Sequence, residues 1–259
     1  MASCQYRTIM SVSESKNPGK IRFENQEDHA LFADNDLASF EALWDLPHIF
    51  VDDVNYRRGG WSAVSTLELG AGEQRHIYFV KRQENQFRYS LRRPFGRLTF
   101  ADEVDAIRLV QSLGLPAVDM VCFGISRQPG VTRGILVTRR ITLPTLADLI
   151  ESKPNWNAIL PELEQIGNQL YRIHANKIRH GAFYPNHIFA DIASGKVQMI
   201  DFEGARLCRT SAKAIKADLP QLLRRLTYMP EQAINALLRS YLDEHYELVQ
   251  SLMSYRKKP

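Results

Sequence analysis

Apolar and polar positions follow two different periods along the chain, and the period changes near residue 140. Before this point, short runs alternate between apolar and polar residues, as in strands with one buried face. After it, apolar residues recur every three or four positions, as on the core-facing side of an α-helix. The pattern predicts an α+β protein with a β-rich first part over residues 1–138 and a helical second part over residues 139–259.

In the first part the pattern predicts strands interrupted by one helix. The first strand opens on the pair Gly59-Gly60, which is typical of a turn that enters a strand. The helix is predicted to run from Thr99, as its N-cap, to Gly114. The strands are expected at residues 57–69, 76–82, 120–125 and 134–138.

In the second part a long helix carries apolar residues at steps of four and three. Residues 187–190 and 197–200 form two short apolar runs around a Ser-Gly pair, which predicts a small hairpin. The chain is expected to be helical from Asp218 onward, with another helix entered at Pro230. The stripe of the long helix consists of Ile159, Leu163, Ile166, Leu170 and Ile173.

The composition is that of an ordinary globular protein, with 259 residues, 44% hydrophobic and 24% charged. No stretch approaches the roughly 20 apolar residues of a membrane-spanning helix, and the N-terminal residues have no apolar run like that of a signal peptide. The three cysteines, Cys4, Cys122 and Cys208, have no disulfide or metal-ligand spacing. These features favour a cytoplasmic protein.

The net charge of +4 is too small to indicate nucleic acid by itself, and no aromatic residues interleave with the basic ones in a recognisable nucleic-acid-binding module. We therefore expect no nucleic-acid partner. Basic residues form two clusters, which are either solvated surfaces or binding sites for an anion such as phosphate. The first contains Arg88, Arg92, Arg93 and Arg97, and the second contains Arg206, Arg209, Lys213 and Lys216.

The segment from His174 to Arg206 has the most specific pattern. It reads H-G-A-F-Y-P-N-H-I-F at residues 180–189 and M-I-D-F-E-G at residues 199–204. These runs resemble the H-G-D-x-x-P-x-N-I-L loop and the following Asp-Phe-Gly of the protein kinase superfamily. Within it, most of the chain resembles the lipopolysaccharide kinase family, the Kdo and heptose kinases, in its InaA-like branch. The resemblance implies a protein-kinase-like fold whose two lobes are the β-rich and helical parts.

The resemblance also implies roles for residues of the first lobe. Lys81 falls where the kinase strand lysine lies, and Glu103 falls where its helical partner lies. Such a pair fixes a cation for the α- and β-phosphates of ATP. Gly59 and Gly60 fall in the phosphate-covering loop, where backbone amides approach phosphate, although a glycine pair by itself is more often a simple turn. These four residues are the expected nucleotide-binding residues.

In the second lobe, the resemblance places His180 and Asp201 at the catalytic centre. Asp201 would hold Mg²⁺, because a carboxylate at the end of a strand suits a metal that bridges two phosphates. His180 is expected to be the structural histidine of the loop, bonded to backbone. His187 falls where kinases have the asparagine that binds the second metal ion. There it either binds the metal or only fills the space. Asp218 matches the aspartate that begins the next helix and steadies the loop.

Two residues depart from the kinase pattern. Ala182 lies where the catalytic-base aspartate is expected, and alanine cannot accept a proton. Glu203 replaces the glycine after Asp201-Phe202. A missing base costs roughly 10² to 10⁴-fold in rate but leaves positioning and metal charge in place. The sequence therefore leaves open a slow enzyme and a pseudokinase that binds nucleotide or a partner without turnover.

The short segment between Asp201 and Asp218 leaves little room to dock a peptide. Its basic residues suit a sugar phosphate or an anionic glycolipid as acceptor. The resemblance to the lipopolysaccharide kinases implies an inner-core sugar hydroxyl as the acceptor. The first hypothesis is an ATP- and Mg²⁺-dependent phosphotransferase acting on a sugar or lipopolysaccharide-type acceptor at the inner face of the membrane. The alternative is a nucleotide-binding or regulatory module, linked to stress as the InaA-like resemblance implies. Residues 88–97 are expected to form an exposed positive surface that attracts anionic lipid.

Overall fold

The structure is a computed structural model, which describes residues 19–47, 51, 53–57, 59–72, 75–90 and 93–256, without the side chains of residues 90 and 93–95. Its described first part contains eight strands, and all the paired strands run antiparallel. They are β1 (Lys20–Phe23), β2 (Asn55–Arg57), β3 (Gly60–Leu69), β4 (His76–Glu84), β5 (Phe87–Ser90), β6 (Arg93–Leu98), β7 (Met120–Gln128) and β8 (Val131–Arg139).

Six of these strands form one sheet in the order β1-β7-β8-β4-β3-β2, and β5 and β6 form a separate hairpin. The predicted strands at residues 57–69, 76–82, 120–125 and 134–138 correspond to β2 with β3, to β4, to β7 and to β8. The strand β1 and the hairpin were not predicted. The hairpin lacks the clear alternation that marks a strand with one buried face, and β1 alternates over only four residues, which is too short a run to stand out.

The prediction of a single helix in the first part is wrong, because three helices lie there: α1 (Gln26–Ala33), α2 (Phe40–Trp44) and α3 (Thr99–Ser112). The first two are too short to show a clear helical period. Asn25 caps α1 and Ser39 caps α2 through their side-chain oxygens. The helix α2 is tied to the sheet by the buried guanidinium of Arg82, which donates to the carbonyl oxygen of Leu43 at 2.8 and 3.0 Å.

The helix α3 begins at Thr99. The prediction that Thr99 is its N-cap is wrong. The N-cap position is Leu98, whose side chain makes no capping bond. Instead the side-chain oxygen of Gln83 on β4 accepts from the Thr99 hydroxyl at 3.0 Å and from the Phe100 amide at 2.9 Å. A strand residue therefore satisfies the start of α3 and fixes the helix against the sheet.

The described second part contains five helices and two pairs of short strands. The helices are α4 (Leu146–Ser152), α5 (Leu160–Ala175), α6 (Ser211–Leu223), α7 (Glu231–Leu237) and α8 (Arg239–Leu252). The strand pairs are β9 (Ile178–Arg179) with β12 (Arg206–Leu207) and β10 (Ile188–Ala190) with β11 (Val197–Met199).

The predicted hairpin at residues 187–200 is confirmed as β10 and β11, and α7 begins directly after Pro230 as expected. Four members of the predicted stripe, Leu163, Ile166, Leu170 and Ile173, are buried on α5. The fifth, Ile159, lies before α5 at the end of a 3₁₀ turn and is only partly buried. The helical region was predicted to start at Asp218, which is wrong. The helix α6 starts at Ser211, because Thr210 caps it by accepting from the Lys213 amide, and Asp218 lies inside the helix.

One hydrophobic cluster joins the two parts. It includes Phe100, Val104 and Ile107 of α3 together with Phe202, which follows Asp201 in the chain. This packing sets α3 directly against the Asp201 segment. No helix in the described ranges is long and apolar enough to cross a membrane.

Candidate active site

The centre of the candidate site is an ion pair between β4 and α3. The Lys81 amine donates to a carboxylate oxygen of Glu103 at 2.7 Å. Both side chains are largely buried, with 17% and 9% of their surfaces exposed. The anchoring of α3 by Gln83, two residues after Lys81 on the same strand, holds this pair in register. The structure thus brings together the two residues that the sequence paired.

A second carboxylate also reaches Lys81. One oxygen of Glu203 lies 3.2 Å from the Lys81 amine, and the other lies 3.6 Å from the Arg88 guanidinium. Arg88 also donates to the backbone oxygen of Glu203 at 3.2 Å. Glu203 follows Asp201 in a short 3₁₀ turn over residues 202–204, which directs its side chain toward β4. Sequence reasoning missed this contact, and its only signal was a carboxylate in place of a glycine.

Three carboxylates act on the buried amine of Lys81. Burial alone would lower the pKa of Lys81, but Glu103, Glu203 and Asp201 together raise it above its ordinary value. Burial raises the pKa of Glu103, and Asp201 and Glu203 raise it further against the opposing effect of Lys81. Arg88 offsets part of this negative charge at Glu203. The local charge therefore favours a protonated Lys81.

Asp201 differs from the other two carboxylates because it is open to solvent. Its side chain is 41% exposed, and one oxygen lies 3.6 Å from Nδ1 of His187. Its backbone is left-handed, with φ of 66° and ψ of 59°. This conformation is uncommon for residues other than glycine and is concentrated at functional sites. The exposed carboxylate is available to a ligand.

These residues border a cavity of 460 Å³ between the sheet and the Asp201 segment. Its charged lining includes Arg57, which the resemblance placed in the phosphate-covering loop, and Asp53, which sequence reasoning did not assign. The full lining is Asp53, Asn55, Arg57, Ser62, Ala63, Val64, Lys81, Gln86, Asp201 and Glu203.

The predicted glycine pair does not line this cavity. Gly59 and Gly60 border a neighbouring one with Tyr56, Trp61 and Glu84 among its lining residues, and Arg57 borders both. A side chain at Gly60 would overlap the backbone oxygen of Glu84, so the close approach of β3 to the end of β4 requires glycine there. Phosphate binding by the pair remains a prediction.

Below the cavity, the loop after β9 is held by Asp218 of α6. Asp218 accepts from the backbone amides of His180 at 2.5 Å and Gly181 at 3.0 Å. It also accepts from Nε2 of His174 at 3.1 Å, while Nδ1 of His174 accepts from the Tyr241 hydroxyl at 2.8 Å. Burial alone would raise the pKa of Asp218, but these hydrogen bonds hold it below its ordinary value.

His180 is a buried, neutral part of this frame. Burial lowers its pKa to about 4. Its Nδ1 accepts from the Ala182 amide at 3.2 Å, which leaves the proton on Nε2. The buried Nε2 lies near the backbone of Ile200 but has no partner within hydrogen-bond geometry. The ring packs 4.5 Å from that of Phe202. This geometry matches the structural role expected for His180 and leaves it no access to a substrate.

His187 lies on the other side of the same loop. Its Nδ1 lies 3.0 Å from the carbonyl oxygen of Ala182 and 3.6 Å from Asp201. Within the described ranges no three His, Cys, Asp or Glu side chains are arranged to hold a metal. A metal beside Asp201 and His187 would therefore complete its coordination with phosphate oxygens and water, as Mg²⁺ commonly does.

The first basic cluster does not form the expected exposed positive surface at the two residues whose side chains can be described. Arg88 lies opposite Arg97 in the β5–β6 hairpin. Arg97 donates to Asp102 at 3.0 Å and to Asp105 at 2.7 Å, and Arg88 lies 3.4 Å from Asp102. Acidic residues of α3 therefore neutralise both arginines. The other two members, Arg92 and the side chain of Arg93, lie outside the described part.

Comparison with known proteins agrees with this geometry. The model of the lipopolysaccharide kinase (Kdo/WaaP) family matches residues 41–241. The chain belongs to this family. Protein InaA of Escherichia coli (strain K12) is 27% identical to this lipopolysaccharide kinase family member over 203 residues, which are 74% of this chain and 90% of InaA.

A solved structure, WaaP in complex with acyl carrier protein, has the same fold. It superimposes on this family member with a TM-score of 0.57 at 18% identity, covering 90% of this chain and 96% of WaaP. The predicted protein-kinase-like fold, with a six-stranded sheet in its smaller lobe, is therefore confirmed. The membership in the lipopolysaccharide kinase family is confirmed as well.

Proposed function

We propose that this protein is an ATP- and Mg²⁺-dependent phosphotransferase whose acceptor is a sugar or a lipopolysaccharide-type glycolipid. The observation that carries the proposal is the Lys81–Glu103 pair at 2.7 Å, beside the same cavity as Asp201. The three residues come from distant parts of the chain. A fixed cation opposite an accessible carboxylate is the arrangement that binds and orients a nucleotide triphosphate with its metal.

The donor set fits Mg²⁺ and ATP. Asp201 offers a solvent-accessible carboxylate. His187 lies next to it, but its Nδ1 donates to the carbonyl oxygen of Ala182, so only its Nε2 could bind a metal. The carboxylates near Lys81 suit a site that is completed by a divalent cation. When bound, the metal supplies positive charge to the phosphate oxygens. Lys81 would hold the phosphates, and Glu103 would keep its amine in place.

The protein's own contribution to catalysis is then mainly positioning. Asp218 fixes the loop through the amides of His180 and Gly181. The position of the base is occupied by Ala182, which is 9% exposed and offers only its backbone. The proton of the acceptor hydroxyl must then leave to solvent or to the phosphate itself. We expect turnover reduced by roughly 10² to 10⁴-fold relative to a kinase that has the base.

The acceptor proposal rests on the segment after Asp201. Residues 202–210 connect it to α6, and Arg206 and Leu207 within them pair with β9. This short, paired connection offers no extended surface for a peptide. The family's name and the exposed basic residues of the segment favour an anionic sugar or glycolipid. With such an acceptor the protein would act in the cytoplasm, peripherally at the inner membrane.

The second candidate is a pseudokinase that binds nucleotide or acts as a regulatory, stress-linked module. Two observations favour it. Ala182 removes the base, and Glu203 occupies the amine of Lys81 at 3.2 Å. A ligand phosphate would have to compete with this carboxylate.

Thermal unfolding with ATP, with and without Mg²⁺, tests nucleotide binding, and transfer of labelled phosphate to lipopolysaccharide inner-core acceptors tests turnover. The enzyme proposal expects slow, Mg²⁺-dependent transfer that Asp201→Ala abolishes and Ala182→Asp accelerates. The pseudokinase proposal expects binding without transfer in both the wild type and Ala182→Asp. Transfer that survives Asp201→Ala would contradict both proposals.

A further inference from the structure

In the described part of the chain, the side chains of the second basic cluster are not paired with carboxylates, unlike Arg88 and Arg97 of the first. Within the described part of the chain, its four side chains make no hydrogen bond or ion pair, and all four are exposed. One of them, Arg206, lies directly opposite Arg179 in the β9–β12 pair. Side chains at directly opposed positions project to the same face of a sheet, about 5 Å apart at their bases. Two arginines therefore share one face beside the loop.

Arg179 is poorly compensated in this position. Its Nε atom is buried without a hydrogen-bond partner, and the nearest carboxylate oxygen, on Asp218, is 3.9 Å away. That distance is too long for a hydrogen bond. Asp218 is already occupied, since it accepts from His174, His180, Gly181 and Gln221.

Two like charges placed directly opposite each other destabilise a strand pair. A buried donor without a partner adds a further cost. The repulsion disappears when one anion lies between the two guanidinium groups, because arginine binds phosphate and carboxylate through two parallel hydrogen bonds. The Nε atom of Arg179 is buried and faces Asp218, so such an anion would contact the outer guanidinium nitrogens. The geometry of β9 and β12 is therefore that of an anion site.

The position of the pair connects it to the candidate active site. Arg179 directly precedes His180, and Arg206 follows Gly204 by two residues. The backbones of Gly181 and Gly204 touch so closely that a side chain at Gly181 would lie 2.7 Å from the Gly204 oxygen. The two arginines thus flank the place where the loop meets the Asp201 segment.

We infer that Arg179 and Arg206 form a subsite for a phosphate or carboxylate group of the acceptor. The description of the ligand as the acceptor rests on the proposed function. The anion site itself does not depend on nucleotide binding. Its ligand is either a soluble sugar phosphate or an anionic group carried by a lipid. Both sources present the same chemistry to the arginines.

The test measures anion binding in the Lys81→Met background, which removes the amine of the cleft. Inorganic phosphate is titrated by calorimetry into the full chain carrying, in addition, Arg206→Gln, Arg179→Gln or both. We expect each single substitution to weaken phosphate binding about tenfold, which is typical for loss of one charge-assisted pair of hydrogen bonds. Arg127→Gln is the matched control, since Arg127 is exposed on β7, outside both basic clusters. It should change binding less than threefold.

A second arm replaces inorganic phosphate with vesicles of phosphatidylcholine containing phosphatidylglycerol. If the substitutions weaken the binding of inorganic phosphate but not of vesicles, the ligand is soluble. If they weaken the binding of vesicles, the ligand is carried by a lipid. The inference is overturned when phosphate and vesicles bind equally well to the double variant and to Arg127→Gln, or when neither binds the parent protein. Arg206→Gln changes only an exposed side chain, so the test stands even when Arg179→Gln fails to fold. Nucleotide-dependent turnover is not required for any of these outcomes.

Discussion

The two sides of the candidate site are built by different interactions. On the sheet side, charged side chains meet each other: Lys81, Glu103 and Glu203 form ion pairs whose members are 9 to 24% exposed. On the helical side, the fully buried Asp218 holds backbone amides, and the fully buried His174 completes the arrangement. Ion pairs between side chains form the first side. Hydrogen bonds from backbone amides to a buried carboxylate form the second.

This difference suggests that the two sides of the site have different functions. Of the two partners of Lys81, Glu203 is the more exposed and can give way to a ligand, whereas Glu103 is buried with the amine and holds it in place. A buried carboxylate that satisfies several amides cannot be exchanged, because each donor would then lose its partner in a dry environment. The sheet side is therefore suited to bind and the helical side to hold the loop. The predictions below test this contrast from the largest expected effect to the smallest.

The largest effect is expected for Asp218→Ala. It leaves the amides of His180 and Gly181 and the ring of His174 without their acceptor. Removal of one partner from such a buried network costs on the order of 3 to 5 kcal/mol in the free energy of unfolding. Urea denaturation followed by circular dichroism measures this loss. Asp243→Ala, at an exposed position of α8, is the control and should stay within about 0.5 kcal/mol of the wild type. A small effect of Asp218→Ala would mean that the loop does not depend on this frame.

The next effect is a pH dependence from His180. Its pKa of about 4 in the folded state lies below the ordinary value of 6.5, so the unfolded chain binds more protons between these values. Stability is therefore fully present above pH 6.5 and falls as the pH drops toward 4. The loss is on the order of 3 kcal/mol across this window, at about 1.4 kcal/mol per unit of pKa difference.

Unfolding by urea at a series of pH values measures this slope. In His180→Gln the slope between pH 4 and 6.5 should flatten, even when the variant is less stable overall. His76→Gln, at an exposed position of β4, should retain the slope of the wild type. An unchanged slope in His180→Gln would assign the pH dependence to other groups.

The sequence was sufficient to bring Lys81, Glu103 and Asp201 to one site. A strand period places Lys81, a helical period places Glu103, and the loop motif places Asp201, so each follows from local pattern plus the kinase-like resemblance. The bounds of α6 were missed because its start depends on the Thr210 cap and not on apolar spacing. The short helices α1 and α2 were missed because five to eight residues carry too little periodic signal.

The partners of the charged side chains could not be predicted. Glu203 reaches Lys81 across 122 positions of sequence, and this contact depends on a turn after Asp201. The pairing of Arg97 with Asp102 and Asp105 depends on the register of a hairpin that the sequence did not indicate. A run of basic residues therefore does not show whether these residues form ion pairs. That depends on whether the fold packs acidic residues beside them.

A smaller effect, on binding instead of stability, is expected for Glu203→Gln. The substitution keeps the shape of the side chain but removes the charge that competes for Lys81. The Lys81 amine, which stays paired with Glu103, should then bind ATP about tenfold more tightly without Mg²⁺, which corresponds to one charge-assisted hydrogen bond. The free energy of unfolding should change by less than about 1 kcal/mol.

Calorimetric titration with ATP in EDTA measures the effect of Glu203→Gln. Glu103→Gln is the matched control on the same amine and should change affinity in the opposite direction, since Glu103 holds Lys81 in position at 2.7 Å. Weaker ATP binding in Glu203→Gln would show that Glu203 supports the ligand instead of competing with it.

The smallest effect is expected for Arg97→Gln, which removes the ion pairs of the hairpin with Asp102 and Asp105. The Arg97 side chain is 30% exposed, so we expect a loss below about 1 kcal/mol in the free energy of unfolding. Molar salt should shrink this difference, since it screens exposed pairs. Sedimentation with anionic vesicles should stay unchanged, because α3 already neutralises Arg97. A marked loss of vesicle binding in Arg97→Gln, but not in the control Arg127→Gln at an exposed position of β7, would restore a lipid-binding role to the first basic cluster.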